Sequence, residues 1–130
     1  AAERALLNAG DQRAPAAALQ PVLAADHLAT LQQAAAAIHT APPLIDYVQA
    51  LVEASRRQPA FLHGLSPRAG LSLLAAARAW AWMQGRDMVV PDDVQAVLPA
   101  VARHRLRSTQ GGGHAKAEDI AALIQSVPIP

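Results

Sequence analysis

The stretch Gly64-Leu65-Ser66-Pro67-Arg68-Ala69-Gly70, with the apolar run behind it, constrains the fold more than any other part of the chain. Ser66 suits a helix N-cap, because its hydroxyl can accept from the free N–H groups of the first turn. Pro67 then stands at the first helical position, where its missing N–H is no loss and its fixed φ already fits a helix. From Leu71 to Met83 no breaker occurs, and Gly85 is a natural residue to end the helix in a left-handed turn. Only Ser72, Arg78 and Gln84 interrupt the apolar run after Gly70. A helix apolar on nearly all sides is expected to be enclosed by neighbours, so this one is read as the central helix of a small bundle.

Arg68 is the odd residue of this stretch. It falls in the first turn, where the helix dipole is positive and a carboxylate is favoured over a cation. Two readings are open. Arg68 leans outward and pairs with a carboxylate, or it is held at a rigid helix start to meet an anion. A guanidinium suits phosphate oxygens, and free first-turn N–H groups can assist it.

The rest of the composition agrees with an all-α protein. Hydrophobic residues make up 52% of the 130, Ala and Leu dominate, and aromatic residues are 3%. Ala and Leu are strong helix formers, and strand-favouring types are scarce. A formal charge of +1 gives no broad basic field for nucleic acid or an acidic membrane. The absence of cysteine excludes disulfides and thiol chemistry and fits a cytoplasmic protein. No apolar run approaches the roughly 20 residues of a membrane span. The start, Ala1-Ala2-Glu3-Arg4, has neither an initiator Met nor a signal-peptide pattern, so the chain is expected to be cut from a longer one.

Along the chain, residues 1–24 read as a linker and lead-in, with a short helix over Ala2–Ala9 and a proline-broken loop to Pro21. The main bundle spans residues 25–107. Its first helix, Ala25–Ala37, places Leu28, Leu31, Ala35 and Ile38 on one apolar face. Pro42 and Pro43 open the next helix, which runs to about Arg57 with Leu44, Tyr47, Val48, Leu51 and Val52 inward. A loop with Phe61 and Leu62 leads to the central helix, about Pro67–Gln84. Met88-Val89-Val90 is extended and is matched with Ile38-His39-Thr40 as a minimal two-strand bridge. Pro91 starts a further helix with Val94, Val97, Leu98 and Val101 inward, and Pro99 is expected to kink or divide it. Residues 108–116, with Gly111-Gly112-Gly113, read as a flexible loop. Residues 117–130 hold a last short helix, with Ile120, Leu123 and Ile124 inward, and a proline-rich tail.

No residue set makes a self-sufficient active site. There is no phosphate-binding GxxxxGK[ST], no GxGxxG and no HExxH. His27, His39, His63, His104 and His114 never stand at metal-ligand spacing, so no metal site is expected. Asp92-Asp93 is expected to serve a helix start. The basic run Arg103–Arg107 reads as a solvated helix end or a partner contact. Trp80 and Trp82, two apart, face different sides of their helix, and at least one is expected in the core.

The order of these pieces resembles the C-terminal helical lid of MoxR-type AAA+ ATPases. Gly64-Leu65-Ser66-Pro67-Arg68-Ala69 is similar to that family's G-A-S-P-R-A. Gly85-Arg86-Asp87, then Val89-Val90-Pro91-Asp92-Asp93-Val94, is similar to its G-R-D-x-V-x-P-x-D-V, and Arg103-His104-Arg105-Leu106 to its R-H-R-L. Asp46-Tyr47-Val48, Leu51-Val52 and Ser55-Arg56 resemble its D-Y-(V/I)…L-V…(T/S)-R. Glu3–Leu7 and the closing Val127-Pro128-Ile129-Pro130 extend the resemblance over nearly the whole chain. Val90 replaces a capping Thr, a loss of roughly 1 kcal/mol. Leu65 replaces a small residue, and Trp80 and Trp82 are bulkier than the family's Ala and Leu.

The resemblance implies that Arg68 is the sensor 2 arginine, with Ser66 and Pro67 beside it at the nucleotide. Arg68 would reach the γ-phosphate of ATP, bound with Mg²⁺ on a core domain outside this chain. It implies a cytoplasmic, chaperone-like remodelling ATPase, a ring hexamer of neighbouring protomers working with von Willebrand factor A-type partners, and no membrane or nucleic acid. The chain alone is expected not to hydrolyse ATP. The competing reading is an autonomous helical interaction module that uses the Trp pair or the basic end and has no nucleotide role.

Overall fold

The structure, a computed structural model, describes Arg4 and residues 19–130. The helix expected over Ala2–Ala9 and most of the loop after it lie outside the described residues. The chain divides into two compact units, Ala1–Thr30 and Leu31–Pro130. Among the described residues there are five helices and no extended strand: α1 (Ala25–Ala36), α2 (Pro42–Arg57), α3 (Pro67–Met83), α4 (Pro91–Ala102) and α5 (Ala117–Gln125). The fold is a small helical bundle, as the composition implied.

Helix α2 begins where Pro42 and Pro43 fix its first turn. It buries Leu44, Tyr47, Val48, Leu51 and Val52, the expected inner face, and Ser55 with them. Arg56 and Arg57 close it, at the end that the dipole favours for cations. Helix α3 opens on Ser66, whose Oγ accepts from the Ala69 N–H at 3.2 Å. It ends in a full Schellman turn. The Gly85 N–H donates to Trp82 O and the Arg86 N–H to Ala81 O, both at 2.9 Å. Gly85 holds φ at +74°, a conformation that a side chain would strain.

Helix α3 is central but not enclosed. Its buried residues are Ala69, Leu73, Ala77 and Ala81, a single stripe at four-residue steps. Three of the four are alanines, so the stripe lets α4 and α2 approach closely. The opposite face stays in solvent, with Leu71 70% exposed. Neither tryptophan is core, since Trp80 is 39% and Trp82 36% exposed. Both expectations are therefore corrected. Apolar content alone does not say how many sides of a helix are covered, and this bundle covers one.

Helix α4 packs most extensively on α3 and buries Val94, Leu98 and Ala102, with Val97 and Val101 half-buried against the core. Val90 offers no capping hydroxyl, and Asp93 supplies the cap from the other side. Its Oδ2 accepts from the Val90 N–H at 2.9 Å. The other oxygen takes a charge-assisted hydrogen bond from Arg86 Nη2. Asp93 is 1% exposed, so its charge is matched inside the fold, which agrees with the helix-start role expected of it. Pro99 lies in the last turn and α4 runs through it without interruption. A proline this near the C-terminus removes one N–H and leaves few turns to disturb.

The bridge expected between residues 38–40 and 88–90 is present as a single parallel pair, His39 with Met88. His39 N–H donates to Asp87 O at 3.0 Å, and Val89 N–H donates to His39 O at 2.9 Å. After α4, residues 106–115 form a hydrogen-bonded hairpin. Leu106 O accepts from Ala115 N–H at 2.9 Å, and Gly113 O from Ser108 N–H at 2.8 Å. The hairpin also covers Phe61, because Leu62 N–H donates to Arg107 O and Thr109 N–H to Ala60 O. Helix α5 buries Ile120 and Leu123, and Val127 follows them into the core. Helix α1 has no buried residue: Leu28 is exposed, Leu31 and Ala35 are half-buried, and Ile38, half-buried as well, falls past its end, so its apolar face is only partly used.

Asp93→Ala is expected to destabilise the protein by about 1–3 kcal/mol, because a cap and a charge-assisted bond go together. Asp92→Ala, on an exposed side chain, is expected to stay within about 0.5 kcal/mol. Urea unfolding of the two variants checks the difference.

Candidate functional site

The site is built from the end of α2 upward. Ser55 is buried at its last turn, where its Oγ donates to Val52 O at 2.6 Å and accepts from the Leu65 N–H at 2.8 Å. Arg56, the next residue, donates from Nε to Leu65 O at 3.2 Å. Two consecutive side chains thus hold both backbone groups of one loop residue. The Leu65 side chain is 1% exposed in the core and locks the same point from a third direction.

Gly64 makes this close approach possible. A Cβ there would lie 2.5 Å from Arg56 Cα and 2.6 Å from Arg56 N. Those are backbone atoms that cannot swing away, so only glycine fits. The residues after Leu65 are then placed by short-range geometry. Ser66 caps α3 and Pro67 fixes its first turn. Arg68 follows, exposed to solvent.

Neither ion pair among the described residues involves Arg68; they are Arg86–Asp93 and Lys116–Glu118. The carboxylate partner of the first reading of Arg68 is therefore not found within 4 Å among the described residues. The Ser66 hydroxyl is engaged with Ala69, and Pro67 has no N–H to offer, so Arg68 is the strong donor of the three. Among the described residues no group of three or more His, Cys, Asp or Glu is arranged to hold a metal ion.

Sequence reasoning singles out Arg68 as a candidate but not the pieces that hold its turn. Ser55 and Arg56 stood out only as part of a motif, and their joint hold on Leu65 becomes visible once α2 and the loop are side by side. Arg105 stood out in the sequence as one of a basic run and as part of a family motif, with no contact predicted for it. Its Nη2 reaches Ser72 Oγ on α3 at 3.4 Å, one turn beyond Arg68.

The comparisons with known proteins decide the family. Residues 53–127 match the family model described as the AAA lid domain. This chain belongs to the AAA lid domain family. Those residues cover the end of α2, the clamp, α3, α4, the hairpin and α5, so the whole site lies inside the lid. The MoxR type follows from the relatives. The chain is 36% identical to chaperone MoxR1 of Mycobacterium tuberculosis over 84% of its length. It is 34% identical to protein MoxR of Paracoccus denitrificans over 71%. In both cases it spans 32% of the relative's own length. A crystal structure from Cytophaga hutchinsonii, provisionally assigned as an ATPase, superposes with a TM-score of 0.67 over 75% of this chain and 33% of that one. At 24% identity that likeness speaks for the fold alone. The chain is thus the helical lid of a MoxR-type AAA+ protein.

Gly64→Ala is expected to destabilise the lid by about 1–3 kcal/mol through overpacking against the Arg56 backbone. Ser55→Ala is expected to lower stability by about 1–3 kcal/mol, since it leaves the buried Leu65 N–H without an acceptor. Denaturant midpoints of both variants test the clamp.

Proposed function

We propose that this lid supplies Arg68 as the sensor 2 arginine to ATP held on a core domain outside this chain. The observation that carries the reading is the placement of Arg68. It is an exposed guanidinium on a braced turn, at the end of a helix where a cation is disfavoured, and it has no carboxylate among the described residues. The bundle gains nothing locally from a cation there. A polyphosphate at the same place gains a forked donor and the favourable end of a helix dipole. The donor set of the turn therefore fits phosphate oxygens.

In this role Ser66 and Pro67 act through geometry. They set the first turn so that the Arg68 side chain leaves it in a fixed direction. Arg68 then stabilises charge on the transferring phosphoryl group, where a preorganised cation has its largest effect. Because the turn is tied to α2 through Ser55 and Arg56, a contact between Arg68 and phosphate moves the lid as one body. That couples nucleotide state to lid position. Mg²⁺ and the attacking water belong to the core, so the lid alone neither binds ATP tightly nor hydrolyses it.

The full-length protein is then a cytoplasmic, chaperone-like ATPase. It assembles with neighbouring protomers in a ring of six and acts on partners of the von Willebrand factor A type. The exposed apolar surface of α3 (Leu71, Trp82, Met83) suits either this lid or an autonomous interaction module, and does not favour the second. Arg68 separates the two.

Arg68→Ala in the full-length protein is expected to lower ATP turnover by about 10²-fold, with the folded content of the lid unchanged. Steady-state phosphate release checks it. Turnover equal to wild type overturns the reading and leaves the interaction module.

A further inference from the structure

The basic run that closes α4 has no part in the reading above, yet one of its members is aimed at the same face. Arg105 Nη2 donates to Ser72 Oγ at 3.4 Å. The Ser72 hydroxyl in turn donates to the backbone carbonyl of Arg68 at 3.0 Å. One hydroxyl thus joins the two arginines, and Ser72 lies four residues after Arg68, on the same side of α3. Both arginines are exposed, and no carboxylate lies within 4 Å of either among the described residues.

Arg105 is held there by its neighbours. Leu106 is fully buried, and its N–H and that of Arg105 both donate to Ala102 O, at 2.8 and 2.9 Å. The Leu106 carbonyl is held by Ala115 N–H across the hairpin. The backbone under Arg105 is therefore fixed on both sides. Among the described residues one of its five guanidinium donors is engaged, through a long bond to a neutral hydroxyl. Two cations carried on one face, with no carboxylate partner among the described residues, favour an anion that both can reach.

We propose that Arg105 is a second phosphate-binding residue, closing with Arg68 on the same polyphosphate, and that Ser72 positions it. The proposal rests on the reading of Arg68 as the nucleotide-sensing arginine. It adds that the lid grips the triphosphate with two guanidinium groups from two elements, α3 and the turn after α4. The pair favours the more highly charged nucleoside triphosphate over the diphosphate.

The test is binding of fluorescent ATP and ADP analogues to the full-length protein, with melting midpoints measured alongside. Arg105→Gln is expected to weaken the ATP analogue about tenfold and the ADP analogue much less. Ser72→Ala, which frees Arg105 without removing it, is expected to weaken the ATP analogue about threefold. If Arg105→Gln lowers the melting midpoint, Arg105→Lys decides, since it keeps the charge and loses the fork. Weaker ATP binding at a wild-type midpoint supports the proposal, and wild-type binding overturns it. Arg68→Ala in the same assay separates the two claims. Loss with Arg68→Ala but not with the Arg105 variants removes Arg105 from the site and leaves the sensor reading intact. Wild-type binding in every variant removes the sensor reading itself.

Discussion

The turn that carries Arg68 depends on two hydrogen bonds to one residue. Ser55 holds the Leu65 N–H and Arg56 holds the Leu65 carbonyl, so the loop before α3 is pinned to the end of α2. A loop normally leaves its backbone groups to water and moves accordingly. Here they are held by side chains of a helix that is itself anchored in the core, with Ser55 buried beside its inner face. The pin works only because Gly64 lets the two backbones meet. Three residues downstream stands Arg68, and its direction inherits the rigidity of α2. Under the proposed role of Arg68, a displacement of about 1 Å at the phosphate would be a large loss, which gives this convergence of local structure on one turn a purpose.

A second tie fixes the far end of α3. Its Schellman turn delivers Arg86 to Asp93, and Asp93 caps α4 in the same step. The parallel pair between His39 and Met88 lies beside this turn, and Arg78 of α3 reaches Thr40 at 3.0 Å. Helix α3 is thus anchored to α2 at its start, to α4 at its end and to the segment before α2 between them. The narrow alanine stripe of α3 serves the same end, because close approach of the helices leaves little slack between them.

Much of this was legible in the residues alone. Prolines 42, 67 and 91 each mark a helix start, and the inner face of α2 was readable residue by residue from its spacing. The bridge was readable too, from two short extended stretches, although its parallel sense comes from the structure. What failed was inference about how many sides of a helix are covered. Leu71, Trp80 and Trp82 look like core residues in the sequence, and the bundle leaves them at its surface because it has too few elements to surround α3. The sequence also hid the hairpin of residues 106–115, since a glycine run announces a turn but not its partners. Arg68 was legible because it breaks a rule, a cation where the dipole resists one. Its support was not, because Ser55, Arg56 and Gly64 act across a loop, and no spacing rule predicts that contact.

The account stands on where the Arg68 guanidinium goes when nucleotide is present. The most direct measurement is a crystal structure of the full-length protein with a non-hydrolysable ATP analogue. The account predicts a guanidinium nitrogen of Arg68 within about 3.2 Å of a γ-phosphate oxygen, with the Ser55–Leu65–Arg56 clamp intact. An Arg68 turned away from the nucleotide and paired with a protein carboxylate would contradict it.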